Sequence, residues 1–269
     1  MGNGWSPDGF ILDLDGTVYT GHRPIEGAAE AIAWLRSRGK RIVFLSNRGN
    51  ISRRMCRERL EAIGVTCETE EIILTSSVVS RYLAEHEPDA RVWVLGEQGL
   101  RDELALHGVQ FTARPQEATR LVVTLHETLT YAELNDAFRA VRAGARIIAT
   151  NDDRTFPGED GEAIDVGAVI AALAHATGTE ADMVVGKPSP VMAKAALDRL
   201  GLPPERCLVV GDSLRSDIAM GKRAGIRTAL VLTGSATREA AMAQDPAERP
   251  DWILDSLADI RRLLEEMER

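Results

Sequence analysis

Phe10-Ile11-Leu12-Asp13-Leu14-Asp15-Gly16-Thr17 is a short apolar run that ends abruptly in two carboxylates and a glycine. It reads as a buried β-strand running straight into a reactive loop. Side chains two apart in an extended chain point the same way, so Asp13 and Asp15 converge on one small volume at the strand's carboxyl end. Gly16 then lets the backbone turn. Two aspartates this close repel, and a native chain keeps such a pair where a cation, a proton or a hydrogen-bond network compensates it.

Outward from this stretch the chain alternates. Ile25, Ala28, Ala29, Ile32 and Leu35 recur at helical spacing up to Gly39, a C-cap. A strand over 41–45 follows and ends in Ser46-Asn47-Arg48-Gly49-Asn50, after which Ser52 caps a helix carrying Cys56, Leu60 and Ile63 on one face. This β-α-β-α opening predicts a parallel sheet whose ligands sit outside the carboxyl ends of its strands. Further strands are expected over 91–96, 121–124 and 146–150, with a capping box from Thr130 to Glu133 opening a helix between the last two. The segment 151–161 reads as a long polar loop, of a length that is often functional, and a helix over 166–175 follows it. The opening pattern then returns as a strand over 183–188 ending at Lys187, a strand over 207–211 ending at Asp212 with Asp217 beyond it, a strand over 228–232, and an amphipathic tail helix from Ser256.

The 269 residues, 44% hydrophobic and 27% charged, suffice for two modest domains. A formal charge of −9 disfavours nucleic acid and anionic membrane surfaces as partners. The three cysteines (Cys56, Cys67, Cys207) are odd in number and form no CxxC pair, as expected of a reduced cytoplasmic chain without disulfides. No apolar run approaches the roughly 18 residues of a membrane span and no signal peptide is read at the start. The first six residues match a loose acylation pattern, taken as coincidence because no basic second signal accompanies it.

Asp13 with Asp15, Ser46, Lys187, and Asp212 with Asp217 all fall at expected strand ends, where they can converge. Phosphoryl transfer through a carboxylate nucleophile wants this set. Two like unit charges about 4 Å apart cost roughly 4 kcal/mol at an effective dielectric near 20, and a carboxylate facing a phosphate dianion meets about twice that. A divalent cation removes the barrier. Asp13, Asp212 and the backbone carbonyl of Asp15 are hard oxygen donors suited to Mg²⁺. Ser46, Asn47 and Lys187 would hold the remaining phosphate oxygens.

With these motifs in place, DxD at Asp13-Leu14-Asp15, Ser46, Lys187 and GDxxxxD at Gly211 to Asp217, the chain resembles the haloacid dehalogenase (HAD) superfamily. The resemblance implies an α/β fold: a Rossmann-like parallel-sheet core with an inserted α/β cap. It also implies that Asp13 is the nucleophile that becomes aspartyl-phosphate, and that Asp15 protonates the leaving alcohol and then activates water. Asp217 would either reach the metal through water or orient Lys187. One helix and one strand fill the gap between Asp13 and Ser46, whereas the far longer gap to Lys187 holds a whole α/β module. That placement resembles the C2-cap arrangement of the NagD and p-nitrophenyl phosphatase branch, subfamily IIA, with the core at 1–79 and 184–269 and the cap at 80–183. Stretches 42–53, 92–100 and 126–131 are closer still to a sugar phosphatase of that branch.

The resemblance implies an Mg²⁺-dependent phosphatase of small phosphorylated metabolites, sugar phosphates foremost, and a homodimer through the cap. The alternatives are a non-catalytic phospho-ligand-binding regulator and a phosphotransferase or mutase. Two departures bear on substrate. Thr124-Leu125-His126 stands where relatives acting on phosphoglycolate or pyridoxal phosphate show Gly, an apolar residue and Asp, and Ile164-Asp165-Val166-Gly167 stands where they show Pro-Gly-x-Gly. Asn151, Asp153 and Pro157 do match the branch's cap loop, and Asp153 and Asp165 could bond sugar hydroxyls. Arg48, Arg53 and Arg54 could steer an anionic substrate, although a solvated helix face accounts for them more simply. His126 is expected to be a structural hydrogen-bonding residue, Cys56 and Cys207 core residues, and Trp93 part of a core or dimer seam.

Overall fold

The computed structural model describes residues 5–158 and 161–268, so the start of the acylation-like pattern and Glu159 and Asp160 lie outside it. The chain divides into two compact units: Met1–Ser46, Arg57–Ile73 and Lys187–Arg269 form the first, and Asn47–Cys56 with Leu74–Gly186 the second.

Strand β1 (Gly9–Leu12) is buried at every residue, as its unbroken apolar run requires of a central parallel strand. The antiparallel hairpin β2 (Tyr19–Thr20) and β3 (Arg23–Pro24) follows, then helix α1 (Ala28–Ser37), β4 (Arg41–Ser46), α2 (Arg53–Ala62) and β5 (Ile72–Leu74). The second unit is built from α3 (Thr75–His86), β6 (Arg91–Leu95), α4 (Gln98–Leu106), β7 (Gln110–Phe111), β8 (Arg120–Val123), α5 (Tyr131–Arg142) and β9 (Arg146–Ala149). It is completed by β10 (Thr155–Gly158), β11 (Gly161–Ile164), α6 (Val166–Thr177) and β12 (Met183–Val184). The chain then returns to the first unit through α7 (Pro190–Leu200), β13 (Cys207–Gly211), α8 (Ala219–Arg223), β14 (Arg227–Val231), α9 (Arg238–Met242), β15 (Trp252–Leu254) and α10 (Ile260–Met267).

The six-stranded sheet of the first unit has the order β15-β14-β13-β1-β4-β5. β1 pairs in parallel with β13 on one side and β4 on the other, and Leu12 lies opposite both Val210 and Phe44. The chain order reverses between β1 and β13, a switch point at which open α/β sheets bind ligands beyond the strands' carboxyl ends. The shared register carries the first residues past these strands to one level. Phe10, Ile11, Leu12 and Leu14 are fully buried, each contributing about 1.5–3 kcal/mol of apolar burial, so the strand that delivers Asp13 is among the best anchored parts of the unit.

The second unit has its own sheet, order β12-β9-β8-β6-β7, with every pair parallel. Leu121, Val123, Ile147 and Ala149 pack against Ala137 and Ala140 of α5 and Val166 and Leu173 of α6, with Trp93 against the same core. Arg120 is buried and bonds Glu87 and Asp182, whose carboxylates keep its charge compensated.

Two expected elements differ. The strand expected over 183–188 stops at Val184 and pairs with β9 in the second unit's sheet. Lys187 therefore comes from the connection into α7 and not from the end of a first-unit strand. The segment 151–161 is not wholly loop, since β10 pairs with β11 as an antiparallel ribbon. Among the described residues no helix is long and apolar enough to cross a membrane.

Candidate active site

In the first unit, β1 ends one residue before Asp13, whose backbone N–H donates to the Val210 carbonyl at 2.9 Å and so stays in sheet register. Its carboxylate is buried, and Oδ1 accepts from the Lys187 ammonium at 2.5 Å. Lys187 Nζ also donates to Asp217 Oδ1 at 2.7 Å and to the Leu45 carbonyl at 3.2 Å. Ser46 is buried at the end of β4, directly after that carbonyl. Asp13, Asp212 and Asp217 each bring a carboxylate oxygen within 4.8 Å of the others. The structure thus gathers Asp13, Lys187, Asp212 and Asp217, with Ser46 one residue from the carbonyl that holds the lysine.

Charge sets the character of this cluster, because three carboxylates share one ammonium. Burial pushes the Asp13 carboxyl well above the ordinary carboxylate range; Lys187 opposes the rise, and Asp217 and Asp212 add to it. Burial, then Asp217, push Asp212 up as well. Burial works against the Lys187 ammonium, but Asp13 and Asp217 overcome it and hold its pKa above the usual lysine value. The arrangement is short of positive charge, and hard carboxylate oxygens are the donors that would fill that deficit with a divalent cation.

Asp217 occupies a π-turn, Leu214–Ile218, a local widening found mostly at functional positions. Its Oδ2 accepts from the Ser213 backbone N–H and the Ser216 hydroxyl while Oδ1 holds Lys187. Both of its oxygens are thus engaged, one of them by the lysine. Asp212 is fixed differently. Its Oδ2 accepts from the Ser235 backbone N–H at 2.6 Å, and a Cβ on Gly16 would stand 2.7 Å from its carboxyl carbon. A Cβ on Gly234 would stand 2.5 Å from the same carbon, and the Thr233 hydroxyl bonds the Gly16 carbonyl. The 233–235 turn was missed in the sequence, although small polar residues just past β14 obey the same strand-end rule that singled out Ser46. Gly16 itself has a φ of +83°, so both its conformation and its missing side chain are required.

In the second unit, Asn151, Asp153 and Asp165, three of the four residues named for specificity, form a chain of hydrogen bonds with Asn47. Asp153 Oδ2 accepts from the Asn47 amide at 3.3 Å and the Asn151 amide at 3.1 Å, and Asn151 also reaches Asp165 Oδ2 at 3.1 Å. Asp165 Oδ1 caps α6 through the Val166 N–H. Burial raises the Asp165 pKa, with Asp153 adding to the rise and the Arg48 charge opposing it. Asn50 in the same 47–52 loop bonds Glu97. Arg53 is pinned through both its backbone N–H and its guanidinium to buried Glu103, so it is neither a free steering charge nor a solvated one. His126 bonds Glu133, in the structural role expected of it. The three cysteines are buried and none of them is in a disulfide.

A switch-point sheet that ends in DxD, a serine and GDxxxxD, with a buried lysine brought in from the connection beside it, is the site of a phosphoric monoester hydrolase, and the chain belongs to the haloacid dehalogenase superfamily. Residues 10–110 match the haloacid dehalogenase-like hydrolase family and 184–260 the HAD-hydrolase-like family. Within it, the chain is 54% identical over 261 residues to sugar-phosphatase AraL of Bacillus subtilis (strain 168), which covers 97% of this chain and 94% of the relative. It superposes on p-nitrophenyl phosphatase from Archaeoglobus fulgidus with a TM-score of 0.89 at 39% identity, over 96% of this chain and 100% of that one. Glycerol phosphate phosphatase Rv1692 from Mycobacterium tuberculosis, solved in complex with magnesium, gives 0.85 at 33% identity over 93% and 75%. The family, the α/β fold and the phosphatase class read from the motifs are borne out.

Proposed function

We propose that the protein is a cytoplasmic, Mg²⁺-dependent phosphatase of sugar phosphates and similar small metabolites that works through an aspartyl-phosphate on Asp13. The observation that carries the reading is the Lys187 ammonium held between Asp13 and Asp217 at 2.5 and 2.7 Å, inside a cluster that still lacks positive charge. The donor set fits the metal: Asp13, Asp212 and the Asp15 backbone carbonyl would hold it. When bound, Mg²⁺ supplies the neutralisation that lets a carboxylate approach a phosphate dianion.

The chain's own residues do the rest. An Asp13 carboxylate oxygen attacks phosphorus and forms a P–O bond as the bond to the substrate's bridging oxygen breaks. Lys187, oriented by Asp217, compensates charge on the phosphoryl oxygens, with Ser46 and Asn47 donating to the others. Asp15 gives its proton to the departing alkoxide, then takes one from the water that attacks the aspartyl-phosphate, releasing phosphate and restoring Asp13.

The sugar assignment draws on the relationship to AraL. Core boundaries at 1–79 and 184–269, a cap at 80–183, and a homodimer through that cap belong to the same reading; light scattering should give twice the chain mass. Chelation with EDTA should lower p-nitrophenyl phosphate turnover by about 100-fold or more, with recovery on adding Mg²⁺. Turnover indifferent to chelation would refute the metal assignment. Across a sugar-phosphate panel phosphate should appear in solution, and its appearance instead on an added acceptor sugar would favour phosphotransfer.

A further inference from the structure

The hairpin that follows Asp15 is short, with a buried base and an exposed tip. Its strands, β2 and β3, are two residues each, and an isolated two-stranded ribbon is marginal. Yet the residue that carries the proposed proton transfer is woven into its base. Asp15 forms a bridge with Tyr19, the Gly16 N–H donates to the Tyr19 carbonyl at 2.7 Å, and the N–H groups of Thr17, Val18 and Tyr19 all converge on the Leu14 carbonyl. The backbone around Asp15 therefore goes where Tyr19 goes.

Tyr19 is 1% exposed, and Arg59 of α2 lies over its ring. The guanidinium carbon lies 4.4 Å from the ring centroid, and Nη2 donates to the Gly21 carbonyl at the hairpin tip. One side chain thus grips the hairpin at both its base and its tip. A cation over an aromatic face is held by the ring's charge distribution, more strongly as it is desolvated, and the planar fork lets the same group donate to the tip, which a lysine cannot match.

We infer that Arg59 is a positioning residue for Asp15: by clamping Tyr19 and Gly21 it holds the general acid in the geometry that protonates a departing alkoxide. The inference rests on the proposed role of Asp15. Proton donation matters in proportion to the basicity of the leaving group. A sugar alkoxide cannot depart unprotonated, whereas p-nitrophenolate leaves as a stable anion. Loss of acid positioning therefore slows sugar phosphates and spares p-nitrophenyl phosphate, while general loss of structure slows both alike.

The experiment compares kcat/KM on a hexose monophosphate and on p-nitrophenyl phosphate for wild type, Arg59→Met, Arg59→Lys and Asp15→Asn, all saturated with Mg²⁺. Arg59→Met should lose about 10-fold or more on the sugar phosphate and about twofold or less on p-nitrophenyl phosphate, with Arg59→Lys between it and wild type. Parallel losses on the two substrates, or no loss on either, overturn the inference. Asp15→Asn separates the levels: if it shows the split and Arg59→Met does not, only the clamp fails, and if it lacks the split the acid role of Asp15 fails with it. Arg59→Lys keeps the charge over the ring and decides the question should the methionine variant not fold.

Discussion

Asp13→Asn should abolish turnover of every phosphate ester, by about 10⁴-fold or more in kcat, and yet leave the metal-free protein as stable as wild type or more so. An amide cannot form the acyl-phosphate bond, so activity goes. Stability moves the other way because the substitution removes one of three carboxylates that share a single ammonium, and Lys187 keeps Asp217 and the Leu45 carbonyl as partners. The pH dependence carries the same sign. Burial, opposed by Lys187, raises the Asp13 carboxyl above its ordinary range, and burial with Asp217 raises Asp212. A carboxyl with a raised folded pKa contributes stability that is complete below its unfolded pKa and is lost as pH rises through the folded one. The metal-free wild type should therefore lose thermal stability as pH rises from the ordinary carboxylate range toward neutrality. Mg²⁺ should restore it, and Asp13→Asn should flatten the slope. A variant that unfolds at lower temperature than wild type without metal, or that retains turnover, would contradict this account.

Much of this site was legible because it obeys local rules. An apolar strand ending in Asp13-Leu14-Asp15-Gly16 can be read from period and turn chemistry alone, and Ser46 and Asp212 fall at strand ends by the same logic. Lys187 shows where such logic stops. Met183-Val184-Val185 is apolar enough to be a strand in any sheet, and nothing in three residues says which sheet they pair with. They pair with β9, leaving the lysine on a connection. Arg53 looked like a surface charge because its partner, Glu103, lies 50 residues away on α4, and a long-range ion pair leaves no periodicity. The 233–235 turn that grips Asp212 and the Arg59 clamp on Tyr19 were hidden for the same reason: each residue is ordinary by itself, and only the fold supplies its partner. The ribbon at β10 and β11 lacks the alternation that marks a half-buried strand, since β11 is exposed at three of its four residues.

Lys187→Met should be the most damaging single change to the metal-free protein, and the way metal repairs it should tell charge balance from catalysis. The side chain is buried, and its removal leaves Asp13, Asp212 and Asp217 facing one another within 4.8 Å with no cation among them. Breaking a buried ion pair from one side costs about 3–5 kcal/mol, a fall of roughly 6–20 °C in Tm for a domain near this size. Protonation of one carboxylate relieves part of that, so the deficit should shrink below the ordinary carboxylate range. Saturating Mg²⁺ supplies two positive charges to the same oxygens and should recover most of the lost Tm. It should not recover turnover, because the proposed mechanism gives Lys187 a role that the metal does not share. In that mechanism the lysine compensates charge on the transferring phosphoryl group, and losing such a preorganised contact should cost about 10²–10³-fold in kcat. Differential scanning calorimetry with and without Mg²⁺, set beside p-nitrophenyl phosphate kinetics on the same samples, reads both effects at once. Metal that rescued activity along with stability would reduce the lysine to a counter-charge. An unchanged Tm in the metal-free variant would mean that the three carboxylates do not repel as their packing requires.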